Sequence, residues 1–194
     1  MMIRPAQEED APAMGQVMVA SYLAAHRDQM PAEAWTKRAE EWTPEVSADG
    51  WARTLREIAT DERLQDCTYV ALDEGGEIVG LAMSGPANAE KLPQTGAVYA
   101  LYISTRHQGQ GLGRRLVQAV AADLAGHGMT ALQIGCLAAN APARAFYEAI
   151  GGRLVSERLF DEDGVMLPEV VYEWPDIKAL VAKGQPEPEE RRPE

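Results

Sequence analysis

Apolar positions change their period part-way along the chain, and the change separates a helical opening from a strand-rich remainder. Met14, Val17, Met18, Ser21 and Tyr22 recur at i, i+3, i+4, i+7 and i+8, which predicts an amphipathic helix to about residue 25 with this stripe in the core. A short strand over residues 3–6 precedes it. Glu8, Glu9 and Asp10 then place carboxylates at the helix start, where they suit its dipole. Pro31 opens a second helix to residue 41, and Ser47-Ala48-Asp49-Gly50 leads into a third whose Trp51, Leu55, Ile58 and Ala59 share a face. His26, Trp35 and Trp42 fall in the charge-mixed stretch 26–50; these aromatic groups either pack on the protein's own sheet or wall a substrate site.

From Cys67 the pattern becomes that of strands. Residues 68–72 and 78–84 flank the turn Asp73-Glu74-Gly75-Gly76 as a hairpin, 86–95 is a loop, and 97–103 is a further apolar strand. Leu112, Leu116, Val117, Val120, Ala121 and Leu124 form one helical face that ends at Gly126 and Gly128. The run 131–137 is apolar enough to predict a strand buried on both faces, so that strand, helix and strand make a right-handed crossover. Asn140 caps a helix with Pro142 just inside it and Ala145, Phe146, Ala149 and Ile150 on its buried side, closed by Gly151-Gly152. Strands over 154–160 and 165–174 follow, joined across Asp161-Glu162-Asp163-Gly164, with a short helix over 176–181. The sum is a mixed α/β fold of about seven strands and four to five helices, one domain over residues 1–181, and an acidic Pro/Glu-rich tail over 182–194 that predicts disorder.

Composition narrows the class of partner. A chain of 194 residues with a formal charge of −12 lacks the basic face that nucleic acid or an anionic membrane requires, and is compatible with a cationic substrate. No apolar run approaches the ~20 residues of a membrane span, and Met1-Met2-Ile3-Arg4-Pro5 opens no signal-peptide core, so a cytoplasmic protein is expected. Cys67 and Cys136 lie in separate predicted strands and read as reduced core residues. His26, His107 and His127 are too scattered for a metal site.

The candidate chemistry sits where Tyr99-Ala100-Leu101-Tyr102-Ile103-Ser104 leads into Gln108-Gly109-Gln110-Gly111-Leu112-Gly113-Arg114-Arg115. A strand passing through a glycine turn into a helix presents unpaired N–H groups and the helix dipole to an anion. Neither a P-loop nor a dinucleotide fingerprint fits, because the first needs Gly-Lys-Ser/Thr and the second needs glycine where Arg114 stands.

The remaining pattern, Gln-x-x-Gly-x-Gly, resembles the acyl-CoA pyrophosphate loop of the GCN5-related N-acetyltransferase (GNAT) family. The resemblance strengthens at Asn140-Ala141-Pro142-Ala143-Arg144-Ala145-Phe146-Tyr147-Glu148-Ala149-Ile150-Gly151-Gly152, which is similar to that family's Asn-x-x-Ala-x-x-Phe-Tyr-x-x-x-Gly-Phe block. It covers residues 97–152 closely and implies a mixed, mostly antiparallel sheet flanked by helices. It further implies acetyl-CoA as co-substrate, no metal, and direct attack of a small-molecule or peptide amine on the thioester. Gln108, Gly109, Gln110, Gly111, Leu112 and Gly113 would cradle the pyrophosphate, with Arg114 adding its cation. Leu101, Tyr102 and Ile103 would pair with the pantetheine arm through main-chain groups, and Asn140 would hydrogen-bond it. Tyr147 would face the sulfur. Giving a phenol proton of pKa about 10 to a thiolate of pKa about 8.5 runs uphill by roughly 2 kcal/mol, which favours hydrogen-bond donation over full transfer.

Two positions depart from the family pattern. Gly152 replaces its phenylalanine, which should weaken packing at the helix end, and Ala97 stands where many relatives carry the glutamate that serves as base. Presenting a lysine-like amine as neutral at pH 7 costs about 4.6 kcal/mol, against about 1.4 for an α-amine, so a missing base matters most for strongly basic acceptors. Tyr99, on the face of Ala97, is the first replacement candidate; His26 and Glu169 are the others. The rival readings are a different acyl-CoA donor, a CoA-binding sensor without turnover, and a phosphate module without CoA, the last disfavoured by Asn140 and Tyr147. An exposed terminal strand leaves a homodimer open.

Overall fold

The computed structural model describes residues 1–87 and 91–182. Seven strands, β1 (Met2–Pro5), β2 (Cys67–Leu72), β3 (Ile78–Pro86), β4 (Thr95–Ile103), β5 (Ala131–Leu137), β6 (Arg153–Glu162) and β7 (Val165–Trp174), form one sheet in the order β1-β2-β3-β4-β5-β7-β6. Every pairing is antiparallel except β4 with β5. The helices among the described residues are α1 (Ala11–His26), α2 (Ala32–Glu41), α3 (Pro44–Thr60), α4 (Leu112–Gly126), α5 (Ala141–Ala149) and α6 (Ile177–Ala182). This is the expected mixed, mostly antiparallel architecture, with the short α6 bringing the helices to six. The expected disordered tail lies, apart from Ala182, outside the described residues.

Two apolar clusters hold the layers together. On one face Ala11 and Met14 of α1 and Trp51 and Leu55 of α3 pack on Val70, Leu72, Leu81 and Ala100. On the other the whole predicted stripe of α4 is buried against Ala71, Val79, Ala82, Val98, Leu132 and Ile134, joined by Tyr147, Tyr172, Trp174 and Ile177. The β6–β7 hairpin turns on Asp163 and Gly164, both at positive φ (50° and 86°), a pair that matches the twist of the strands.

Several local expectations are corrected. Helix α3 begins at Pro44 because Thr43 Oγ1 accepts the Val46 N–H at 3.4 Å, so Ser47-Ala48-Asp49-Gly50 lies inside the helix and not before it. Ala59, expected on its buried face, is exposed. Helix α5 buries Tyr147 and Ile150, while Ala145 and Ala149 face solvent, because the helix meets the sheet along the 143–146–147–150 line. Strand β5 is not buried on both sides: Gln133 is only partly covered, and so are Gly135 and Cys136, which lie beyond the point where β4 leaves the strand. Cys136 is accordingly a cleft residue, whereas Cys67 is buried. The end of α5 is not loosely packed. A Cβ on Gly152 would lie 2.7 Å from the Trp174 ring, so β7 supplies the aromatic group that residue 152 lacks, and Trp174 Nε1 donates to Ile150 C=O at 3.1 Å.

Helices α1 and α3 touch backbone to backbone at Gly15, where a Cβ would fall 2.5 Å from Pro44 O and 2.8 Å from Ala48 N. Gly50 has nothing within 4 Å of its Cβ position. Chemical denaturation of two alanine variants should give opposite signs. Gly15→Ala should lose roughly 1–3 kcal/mol, crowding overriding helix propensity, and Gly50→Ala should gain up to about 1 kcal/mol.

Candidate active site

The site begins where β4 and β5 separate. Their parallel pairing runs from Thr95–Ala131 to Val98–Ile134, yet β4 continues to Ile103 and β5 to Leu137. The cause lies on the other side of β4. Met83 opposes Ala100 and Ser84 opposes Val98, which leaves Tyr99 as an extra residue, and a bulge of this kind bends its strand. The fork opens a cleft of about 810 Å³. Residues 99–103 form one bank, Gly135, Cys136, Asn140 and Tyr147 the other, and the glycine turn closes one end.

That turn is held open by backbone geometry. Gly109 and Gly111 sit at φ 73° and 79°, which side chains rarely tolerate, while a Cβ on Gly113 would crowd the Phe146 ring at 3.1 Å. Gln108 Nε2 donates to Ile103 C=O at 3.1 Å and Gln110 Nε2 to Arg106 C=O at 3.2 Å, so both glutamines spend their side chains closing the loop. Arg115 N–H reaches Gly111 C=O at 3.2 Å, so the earlier N–H groups of Leu112, Gly113 and Arg114 have no acceptor in the preceding turn of helix. Leu112 has its side chain in the core and offers only this N–H. Arg114 is exposed and lines the cleft, whereas Arg115 reaches Met1 C=O at 3.4 Å.

Tyr147 comes from the first helix after β5 and is buried among Phe146, Tyr172 and Trp174, with ring centroids 5.5, 5.6 and 6.2 Å away. Burial, with smaller contributions from Cys136 and Tyr102, holds its phenol well above the ordinary value, so it keeps its proton. No group among the described residues accepts that proton, and Tyr147 borders the cleft. Asn140 Oδ1 accepts the Ala143 N–H at 3.1 Å as the cap of α5, which leaves its NH2 as the side-chain group for a ligand carbonyl. Burial pushes the Cys136 thiol up to about 11 and the Tyr102 phenol up to about 12; both stay protonated beside the fork.

The three replacement-base candidates separate in space. Tyr99 is half exposed, donates its hydroxyl to Pro86 C=O at 2.6 Å, and is raised by burial and then by Asp66; the geometry gives it a fixed proton and not a free base. His26, at the end of α1, lines the cleft with Nδ1 2.9 Å from Tyr22 C=O and is lowered by burial. Glu169 is buried on β7, ion-paired with Arg158 of β6, and leans over Gly135. Two cleft residues gave no clear sequence signal. Gln29 Oε1 and His107 Nδ1 are buried without a hydrogen-bond partner among the described residues, and both residues line the cleft.

A family model described as the acetyltransferase (GNAT) family matches residues 28–151. The uncharacterized N-acetyltransferase YuaI of Bacillus subtilis (strain 168) is 33% identical over 151 residues, 70% of this chain and 87% of that protein. The chain belongs to the GNAT family. Solved structures agree on the fold. The ribosomal-protein-alanine N-acetyltransferase of Brucella melitensis superposes with a TM-score of 0.66 at 22% identity, over 90% of this chain and 99% of that one. The PaiA N-acetyltransferase of Thermoplasma acidophilum, solved in complex with coenzyme A, gives 0.63 at 14% identity, over 87% and 96%.

Beside the GNAT cleft lies a second groove of about 490 Å³ between α2 and the β6–β7 turn. Tyr22 donates to Glu162 at 2.7 Å, and Arg38 pairs with Glu162 and with Asp163 at 2.8 Å while covering the rings of Tyr22 and Trp42. Helix α2 has no buried residue, so these polar contacts hold it in place; of the aromatic residues of 26–50, Trp42 walls this groove, His26 lines the main cleft, and Trp35 donates Nε1 to Leu23 C=O at 3.2 Å beneath Arg27.

The glycine turn depends on a left-handed residue at 111. Gly111→Ala, which imposes roughly 1–2 kcal/mol of backbone strain, should weaken CoA binding about tenfold in a calorimetric titration, whereas Gly126→Ala, at the open far end of α4, should leave it unchanged.

Proposed function

We propose that this GNAT protein transfers the acetyl group of acetyl-CoA to a primary amine of a small molecule or peptide, by direct attack and without a covalent enzyme intermediate. The observation that carries the reading is the fork: a glycine turn for a pyrophosphate, unpaired strand backbone for a pantetheine arm, and a proton-bearing Tyr147 stand along one cleft. Pantetheine amides would complete the ladder that β4 and β5 leave unfinished, with Asn140 NH2 adding one donor. The Ile103 end of β4, held by Gln108 and by Ser21 Oγ at 3.2 Å, would set the thioester carbonyl. Tyr147 would then donate a hydrogen bond to sulfur as charge develops there. Tyr99 acts as a positioning wall beside the acceptor, its proton engaged by Pro86.

The acceptor enters from the second groove. Glu33, Glu41, Glu162 and Asp163 outnumber Lys37 and Arg38 on its walls, which supports a cationic amine. Two free cysteines support a reducing, cytoplasmic setting. The outer edge of β6, with Leu154, Val155, Leu159 and Phe160 exposed, supports pairing with a second copy of the chain. A CoA-binding sensor is the second reading, favoured by Ala97 alone.

Acetyl-CoA should raise the thermal midpoint of the wild-type protein, and free thiol should be released with members of an amine panel. Tyr147→Phe should keep the thermal shift and lose ten- to a hundredfold in kcat, a barrier change of about 1.4–2.7 kcal/mol. Absence of any shift at millimolar acetyl-CoA contradicts the proposal, and a shift without thiol release on any amine favours the sensor.

A further inference from the structure

The carboxylate missing from β4 has a counterpart two strands away. Ala97 pairs with Gln133 of β5 in parallel register, so their side chains share a face, and Gly135 and Leu137 continue that face past the fork. Leu137 pairs with Glu169 of β7, and Glu169 pairs in turn with Arg158 of β6. On the opposite face Leu132, Ile134 and Cys136 pack with Tyr147.

Gly135 is the first residue of β5 beyond its last pairing with β4, and it is glycine for a visible reason. The Glu169 side chain occupies the space of residue 135: a Cβ there would lie 2.8 Å from the carboxyl carbon and closer still to Oε1. The carboxylate therefore reaches back from β7 over the first residue of β5 that β4 no longer pairs, at the edge of the fork. Its two oxygens differ. Arg158 Nε holds Oε2, whereas Oε1, the oxygen above Gly135, receives no hydrogen bond from the described residues. The side chain is only 11% exposed, and its charge is felt by Cys136, the next residue along the cleft. Glu173, nearer the level of Ala97, lies beside the still-paired part of β5 and is bound by Gln133 Nε2 at 2.6 Å.

We propose that Glu169 is the carboxylate that takes the acceptor amine's proton, displaced from β4 to β7 and delivered to the fork over Gly135. The assignment rests on the acetyl-transfer reading above. The ammonium form of the acceptor gives one proton to Oε1, directly or through one water. The freed lone pair forms the nitrogen–carbon bond at the thioester carbonyl while the carbon–sulfur bond breaks and its electron pair leaves as thiolate. The thiolate, held by the Tyr147 hydroxyl on the opposite face, takes the second proton released from nitrogen, and Glu169 returns the first to solvent. The hydrogen-bond donor to sulfur and the base thus stand on opposite faces of the same fork. Arg158 is a positioning residue that fixes Oε2 and leaves Oε1 without a hydrogen bond over Gly135, itself a cleft residue.

The test compares wild type, Glu169→Gln, Gly135→Ala and the double variant, using thiol release from acetyl-CoA with amines of graded basicity. Glu169→Gln should keep the acetyl-CoA thermal shift, lose roughly 10²-fold in kcat on amines of pKa about 10, and lose several-fold less on amines near 8. Gly135→Ala, which removes no functional group but pushes the carboxylate aside, should show the same graded loss, and adding it to Glu169→Gln should change little. Wild-type kcat in Glu169→Gln on a strongly basic amine overturns the assignment. So does a loss of equal size on every amine, or additive losses in the double variant. Absence of thiol release by the wild-type protein overturns the transfer reading itself, and this assignment with it.

Discussion

Backbone hydrogen bonds between β4 and β5 run from Thr95–Ala131 to Val98–Ile134 and then stop, although both strands continue. Strand edges inside a protein are expensive to leave unpaired, on the order of 1–3 kcal/mol for each buried group without a partner. This chain maintains the gap through devices gathered at the fork: the bulge at Tyr99 that bends β4, the Gln108 and Ser21 side chains that secure its last carbonyl, and Asn140, which caps α5 soon after β5 ends. An extended ligand with amide groups is the natural completion of such a ladder. The glycine turn and the buried Tyr147 both border the fork because they follow the C-terminal ends of the two parallel strands directly in sequence.

That sequential closeness also decides what could be read before the fold was known. Gly109, Gly111 and Gly113 announce a turn of left-handed and crowded positions, and Asn140 with Tyr147 announces a capped helix, because each signal is local to one connection. The apolar stripe of α4 was legible for the same reason, since a long helix buried along one face repeats its pattern four times. Features that depend on who lies beside whom were not. Trp174 fills the place of a side chain at Gly152, and Glu169 fills that at Gly135, only because β7 inserts between β5 and β6. A glycine that makes room for a distant residue looks in sequence like any other glycine. The same holds for β5, whose apolar composition predicted burial on both faces but whose neighbour departs half-way.

The two halves of the site differ in how they are held. The main cleft, proposed to take the cofactor, is built from strand backbone, glycine conformations and the close-packed Phe146, Tyr147, Tyr172 and Trp174 cluster, which leaves little freedom. The second groove, through which the acceptor is proposed to enter, rests on α2, a helix without buried residues, tied down by Arg38, Glu162 and Tyr22. That division suits the proposed transfer: rigid where a thioester would be held, and polar where an amine would be chosen. Glu169 belongs to the rigid half, set between paired strands and an arginine.

The central claim is that the open backbone of the fork and the glycine turn are the binding surface for an acyl-CoA. Residue-resolved amide hydrogen exchange with and without acetyl-CoA tests it most directly. Protection should appear in residues 99–103 and 109–114 and leave the β1–β2 and β6–β7 ladders unchanged. Exchange that is unaltered in the fork and the turn at saturating acetyl-CoA would contradict it.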